Sequence, residues 1–328
     1  MRFALSEEQT ELAATIRSLF EKRADSTAVR AASTSPTGHD EALWATLCEQ
    51  IGVAALNIPE EYDGVGATFF ETAVVLEELG RSLAPSPLLA TVVAAESLLA
   101  GGTEDAKRRL LPRIAAGEIA TIVLDGPVLD ADRAAIVLAV IGDDLVEVTG
   151  ATATWTESMD QSVRLGRVDL SAAQTTVIGD GTAARTRAEL IGAAAVSALA
   201  VGLCDRALQT TTGYTKERVQ FGRPIGSFQA IKHRLAEVFA ATELARSASW
   251  AASYALAEGT DPVEAEFLTH AAASYALETA QLAASECIQL HGGIAITWEH
   301  DAHLVFKRAH SLSHLFGAPH RHRESVAL

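Results

Sequence analysis

The sequence predicts a mainly α protein with a small β domain, on three observations. The 328 residues are 48% hydrophobic but only 5% aromatic, so the apolar content is mostly Ala, Leu and Val, which suits closely packed helices. Apolar residues recur at helical spacing up to about residue 118 and again from about residue 183 to the end. Between them the texture changes to short β-branched runs broken by Gly and Asp. The expected division is an N-terminal α-helical domain over 1–118, a middle β domain over 119–182 and a C-terminal four-helix bundle over 183–328.

The first helix is expected in "LSEEQTELAATIRSLFEKRA", where Ser6 and Gln9 have capping-box spacing and Leu12, Ile16, Leu19 and Phe20 share a face. A second covers about Asp40 to Ile51. "NIPEEYDGVGATF" is a loop, because Pro59, Gly64 and Gly66 interrupt any regular pattern. Helices follow in "FETAVVLEELGRSL", from near Pro87 to Gly101-Gly102, and in the basic "TEDAKRRLLPRIAAGE". In the middle region "IATIVLDG", "AAIVLAVIGDDLVEVT", "VRLGRVDL" and "QTTVIGDG" read as strands, with "IGDDL" as a hairpin turn. The region is too small for a Rossmann unit and has no crossover helices. The bundle is expected as Ala184–Gln220, then a helix capped by Ser227. A third opens with Asp261 as N-cap, Pro262 at N1 and Glu264 at N3 and ends at "HGG", and the fourth covers about Trp298 to Leu315.

Lys and Arg number 26 against 42 Asp and Glu, a net charge of −16 that repels nucleic acid and anionic lipid. No nucleic-acid or membrane partner is therefore expected. "AELIGAAAVSALAVGLCDRA" is too interrupted to span a bilayer, and no basic, then apolar, leader opens the chain. Cys48, Cys204 and Cys287 are odd in number, far apart and in apolar helical contexts, so reduced thiols in a cytoplasmic protein are expected. Histidines crowd the last 40 residues without the carboxylate or Cys that would complete a metal-ligand set.

Against this acidic background, "KERVQFGRPIGSFQAIKHR" at 216–234 carries five Lys or Arg and one acid, which suits a bound anion. With "IPEEYDGVG", "VVLEELGRS" and "ECIQLHGGIAITWEHDAHLVFKRA", it resembles the acyl-CoA dehydrogenase family in motifs that occur in the family's order. The resemblance implies the family's fold, with a reduced middle domain, and FAD lying across a subunit interface. Arg218 would pair with the pyrophosphate through its guanidinium fork. Phe221 and Phe228 would pack on the cofactor, and Gln229 would add hydrogen bonds where backbone N–H groups are also available. Gln289, Gly292 and Gly293 would meet the adenosine end.

Other family features are missing. The T-E-P-x-x-G-S that holds the flavin ring is absent; the segment after Ala120 reads "TIVLDGPVLDADRAAIVL", and Trp155 has no matching context. The catalytic Glu of most members falls at Gly317. That of a second group, ten residues before Gly202, falls at Gly192, and the Arg that often follows is Ala193. Glu189 is read as a solvated charge and Glu324 as part of a fraying terminus after "HRHR", so no catalytic residue is assigned to this chain. What is lost is the flavin-ring site and the base together, and what is kept would touch a neighbour's FAD. The resemblance is thus to the smaller subunit of actinobacterial α2β2 acyl-CoA dehydrogenases that act on steroid side-chain CoA thioesters. It implies a larger partner subunit holding the base, the flavin-ring pocket and most of the acyl-CoA, with an electron-transfer acceptor. A self-sufficient homomeric enzyme and a non-enzymatic scaffold are the other classes.

Overall fold

The computed structural model describes residues 4–259 and 261–326. Helix α1 (Glu7–Arg23) begins with the expected capping box: the Ser6 hydroxyl accepts the Gln9 N–H at 3.2 Å and the Gln9 amide oxygen accepts the Ser6 N–H at 2.9 Å. A short helix α2 (Ser26–Ser33), which the sequence pattern did not suggest, precedes α3 (Glu41–Thr46). Asp40 caps α3 with bonds to the N–H groups of Ala42 and Leu43, and the last turn widens into a π-turn over Leu47–Ile51 that closes on Gly52. The expected loop follows with one 3₁₀ turn (Glu60–Tyr62), then α4 (Phe69–Ser82), α5 (Leu88–Gly101) and α6 (Glu104–Ala115). α5 is buried on nearly every side, which is why its sequence is almost uniformly apolar.

Seven strands fill 120–180 and form two sheets. The first has the order β1 (Ala120–Val123), β3 (Ile136–Ile141), β4 (Asp144–Thr149), β7 (Gln174–Asp180). β3 and β4 are the expected hairpin, paired from Val137↔Val148 to Ile141↔Asp144, while β1 and β3 run parallel. The second sheet has the order β2 (Val128–Leu129), β6 (Leu165–Asp169), β5 (Thr152–Thr156).

Long helices follow: α7 (Gly181–Glu217), α8 (Gln229–Glu258), α9 (Pro262–His291) and α10 (Ala302–Leu312). Asp261 caps α9 through the Val263 N–H and Pro262 is its first residue, as expected. Three boundaries differ from expectation. α7 ends at Glu217 because Val219–Gln220 (β8) pairs with Arg223–Pro224 (β9). Ser227 does not cap α8; it lies in a 3₁₀ turn, and Phe228 is the N-cap, its carbonyl accepting the N–H groups of Ile231 and Lys232. Trp298 lies in the turn before α10, and residues 319–326, expected to fray, form α11 (Pro319–Val326), whose His322 is buried. By length and composition α7 could cross a bilayer, but 83% of its apolar stretch is buried inside the protein.

Packing divides the chain into two compact units, one of Met1–Ser26, Ala73–Leu83 and Ala193–Leu328, the other of Thr27–Thr72 and Ala84–Gly192. In the first, α4 and α7 approach so closely that a Cβ on Gly202 would lie 1.8 Å from the Glu77 carbonyl oxygen, which only glycine tolerates. Around that crossing Glu77, Glu78 and Asp205 are paired with Arg17, Arg81 and Arg246, and the Trp250 indole donates to Glu77 at 3.1 Å. All of these side chains except Asp205 line a cavity of about 310 Å³. Its three arginines are bound to carboxylates, so they are not offered to a ligand.

In the second unit Arg164 binds Asp132 through two bonds of 2.8 and 2.6 Å, donates to the Pro36 carbonyl and lies 5.5 Å from the Trp155 ring. Beside it Asp130 is buried at φ +49°. Burial pushes its carboxyl up to about 8, with Arg164 working against the shift and Asp132 adding to it.

Candidate functional site

The basic stretch after α7 forms a tight hairpin. β8 and β9 are joined by Phe221 and Gly222, with φ of +53° and +79°, the signs of a two-residue type I′ turn. Phe221 is a large apolar side chain in the left-handed region, yet it is 93% exposed. A strained backbone that presents an apolar ring to solvent indicates a bound partner more than packing. Phe228 sits beneath it: its ring meets Phe221 edge-on at 6.2 Å, and the Arg223 guanidinium lies 4.0 Å from its face.

Arg218 lies at the foot of the hairpin. Its backbone is held on both sides, the N–H by the Tyr214 carbonyl and the carbonyl by the Ile225 N–H, each at 2.8 Å. Its side chain is exposed and makes no ion pair among the described residues, so its guanidinium fork is available. Gln229 is exposed as the first residue of α8, whose N-terminus has no side-chain cap.

At the C-terminal end of α9 the helix stops at Gly292, whose φ of +64° with ψ of −142° only glycine adopts readily. A Cβ on Gly292 or on Gly293 would meet no atom within 4 Å, so backbone faces open space there. Gln289 is exposed in the last turn of α9. The two ends meet through Tyr214 and His291, whose ring centroids are 4.4 Å apart. The structure thus brings the Arg218 hairpin and the Gln289–Gly293 turn to one end of the bundle. Neither Tyr214 nor His291 stands out in the sequence.

These residues fit an extended dinucleotide. An unpaired fork, free helix N–H groups, an exposed ring and an open glycine backbone provide for an anion and a flat heterocycle. The two positions where the family's base would fall hold glycine. Gly317 has φ +112°, and a Cβ there would lie 2.9 Å from Nε2 of His322. Gly192 is buried, and Glu189 is exposed beside Arg185 at 3.8 Å. Glu324 is exposed on α11.

Several of the histidines pack on one another or on a phenylalanine. His270 and His322 share a bond of 2.9 Å between their Nδ1 atoms, and burial followed by His270 pushes His322 down to about 4. His310 stacks on Phe306 and meets His314 edge-on. Cys204 and Cys287 are buried free thiols, and burial pushes the half-buried Cys48 up to about 12.

An N-terminal helical region, a β region and a long-helix bundle ending in this cradle define an acyl-CoA dehydrogenase fold. Residues 6–118 match the acyl-CoA dehydrogenase N-terminal domain and residues 179–327 the acyl-CoA dehydrogenase C-terminal domain. The chain belongs to the acyl-CoA dehydrogenase family, whose members are FAD-dependent oxidoreductases. It is 45% identical over 319 residues to acyl-CoA dehydrogenase IpdE2 of Mycobacterium tuberculosis, covering 95% of this chain and 94% of that one. Among solved structures it is similar to a chain of a variant of the Tcur3481-Tcur3483 steroid ACAD, with a TM-score of 0.88 and 29% identity over 98% of this chain and 96% of that one. It also shares the fold of a chain of the ChsE4-ChsE5 complex from Mycobacterium tuberculosis, with a TM-score of 0.89 and 23% identity over 99% and 98% of the two chains.

Proposed function

We propose that this chain is the smaller subunit of a heteromeric FAD-dependent acyl-CoA dehydrogenase, assembled as α2β2 in the cytoplasm and acting on a CoA thioester of the steroid side-chain class. It contributes the pyrophosphate and adenosine half of the cofactor site. The larger partner subunit supplies the flavin-ring pocket, the catalytic Glu and most of the acyl-CoA site. The observation that carries this reading is the exposed Arg218 fork beside an open glycine turn, in a chain with no carboxylate at 192 or 317. The likeness to a chain of a two-component steroid ACAD supports the heteromeric part of the reading. So do Phe239, Leu244, Phe267 and Leu282, apolar side chains left exposed on α8 and α9.

In this reading Arg218 neutralises the pyrophosphate and Gln229 orients it at the start of α8. Phe221 covers the cofactor from solvent, and the Gly292–Gly293 backbone admits the adenosine end. Bound there, FAD would supply the hydride acceptor for the β-hydrogen of the thioester, with the partner's carboxylate as base for the α-proton and an electron-transfer acceptor as the onward oxidant.

The test is FAD per complex after dialysis of the chain co-purified with its partner. Arg218→Ala should weaken cofactor binding by roughly tenfold to a hundredfold, as expected for losing a charge-assisted bond to phosphate. Its melting temperature should stay near that of the wild type. Arg218→Lys should recover only part, because the charge is kept and the fork is not. Unchanged flavin occupancy in Arg218→Ala refutes the assignment.

A further inference from the structure

The Arg218 hairpin and the Gly292–Gly293 turn are joined by three stacked rings. His291, the last residue of α9, is the middle ring. Tyr214 of α7 lies 4.4 Å from it at an interplanar angle of 31°, and His300 lies 4.4 Å from it at 43°. The outer two rings are 6.4 Å apart. The Tyr214 main chain is tied to the hairpin, its carbonyl accepting the Arg218 N–H at 2.8 Å, and the His300 ring is tied to backbone, its Nδ1 accepting the Ala302 N–H at 3.1 Å. His291 is itself held one turn back, Nδ1 to the Cys287 carbonyl at 2.7 Å. That bond makes Nδ1 the protonated nitrogen of a neutral ring. The other nitrogen, Nε2, is buried with no hydrogen-bond partner among the described residues. A leucine or phenylalanine would fill this space without an orphaned acceptor, so the ring is not what packing alone selects.

We propose that the Tyr214–His291–His300 stack is a positioning clamp that sets the spacing between the Arg218 hairpin and the Gly292–Gly293 turn, so that the two grip opposite ends of one dinucleotide. The proposal rests on the cofactor reading given above. Neither Tyr214 nor His291 touches the cofactor in this scheme. They act through the backbone on either side of it.

The clamp requires a neutral middle ring. Burial, then His300, holds the His291 imidazole below its ordinary range, with the Cys287 carbonyl working the other way. The ionisable groups against it are Cys287 on α9, Tyr214 on α7 and His300 ahead of α10; beyond Cys287 lies Arg206 of α7, paired with Asp301 at 3.7 Å. A histidine whose folded value is depressed keeps its contribution above its ordinary range and loses it as pH falls through the lowered value. The clamp should therefore loosen on the acid side.

The experiment follows FAD release from the complex with the partner subunit, by flavin fluorescence from pH 8 to pH 5. Tyr214→Leu should release FAD roughly three- to tenfold faster, the equivalent of one lost ring contact. Tyr214→Phe should match the wild type, because the phenolic hydroxyl makes no hydrogen bond among the described residues. His291→Phe keeps a ring and removes the titration, so the acid acceleration expected of the wild type should flatten, and a wild type that shows none overturns the clamp as well. Wild-type release from Tyr214→Leu, or undiminished acid acceleration in His291→Phe, overturns the clamp. The His291→Phe arm decides the matter alone if Tyr214→Leu does not fold. Arg218→Ala in the same assay separates the two ideas: if it too leaves release unchanged, the cofactor assignment has failed, and if it alone accelerates release, only the clamp has failed.

Discussion

Replacing Asp130 by Asn should flatten the pH dependence of stability between about pH 5 and pH 8. The wild-type carboxyl is buried, with a folded value of about 8, and it returns to about 3.9 when the chain unfolds. Between those values the folded protein keeps the proton and the unfolded chain releases it. The unfolded state then binds fewer protons, so stability falls as pH rises, and it stops falling once the folded carboxyl also ionises near pH 8. One proton corresponds to about 1.4 kcal/mol per pH unit, so the difference between the two proteins should shift by up to about 4 kcal/mol over three units. Other groups titrate in the same range, but they are common to both proteins and cancel. The assay is urea unfolding at half-unit steps from pH 5 to 8.5, plotted as the difference in unfolding free energy between variant and wild type. A constant offset with no slope refutes the argument, because it would mean that Asp130 is ionised, or solvated, in the folded protein.

Gly202→Ala should cost about 3 kcal/mol or more, because α4 must retreat from a Cβ that would sit 1.8 Å from a backbone oxygen; the fall in urea midpoint measures it. Gly213→Ala on the same helix has open space around its Cβ and should instead stabilise by up to about 1 kcal/mol. Glu189→Gln and Glu324→Gln should each leave turnover of the complex within about threefold, whereas removing a true base costs on the order of a hundredfold or more. A collapse in turnover with flavin content intact would show that this chain supplies the base.

Local signals predicted elements well where one short segment contains the whole cause. The Ser6–Gln9 box, the Asp261–Pro262 start and the "IGDDL" turn all work within a few residues, and all three form as expected. Ser227 misled because a serine ahead of a helical pattern suggests a cap, while the hairpin before it closes a 3₁₀ turn and passes the cap to Phe228. α2 is only eight residues long and buries just Val29 and Ala32, and α11 is dense in charge and buries only His322, so neither gave a pattern long enough to be legible locally. Arg218, Phe221 and Gly292 were legible because spacing and family resemblance mark them. Tyr214, His291 and Asp130 were not. The first two lie 77 residues apart and meet only after α7 and α9 pack, and no neighbour in sequence announces that Asp130 is buried.

The ring of His322 beneath Gly317 also bears on how the chain can evolve. A single substitution to Glu at 317 would meet a backbone at φ +112° and a ring atom 2.9 Å from its Cβ. Regaining a carboxylate there would strain the backbone and press on the buried His270–His322 contact that helps seat α11. On the subunit reading, the division of labour with the partner is therefore ratcheted: each generation finds it easier to keep the dependence than to reverse it.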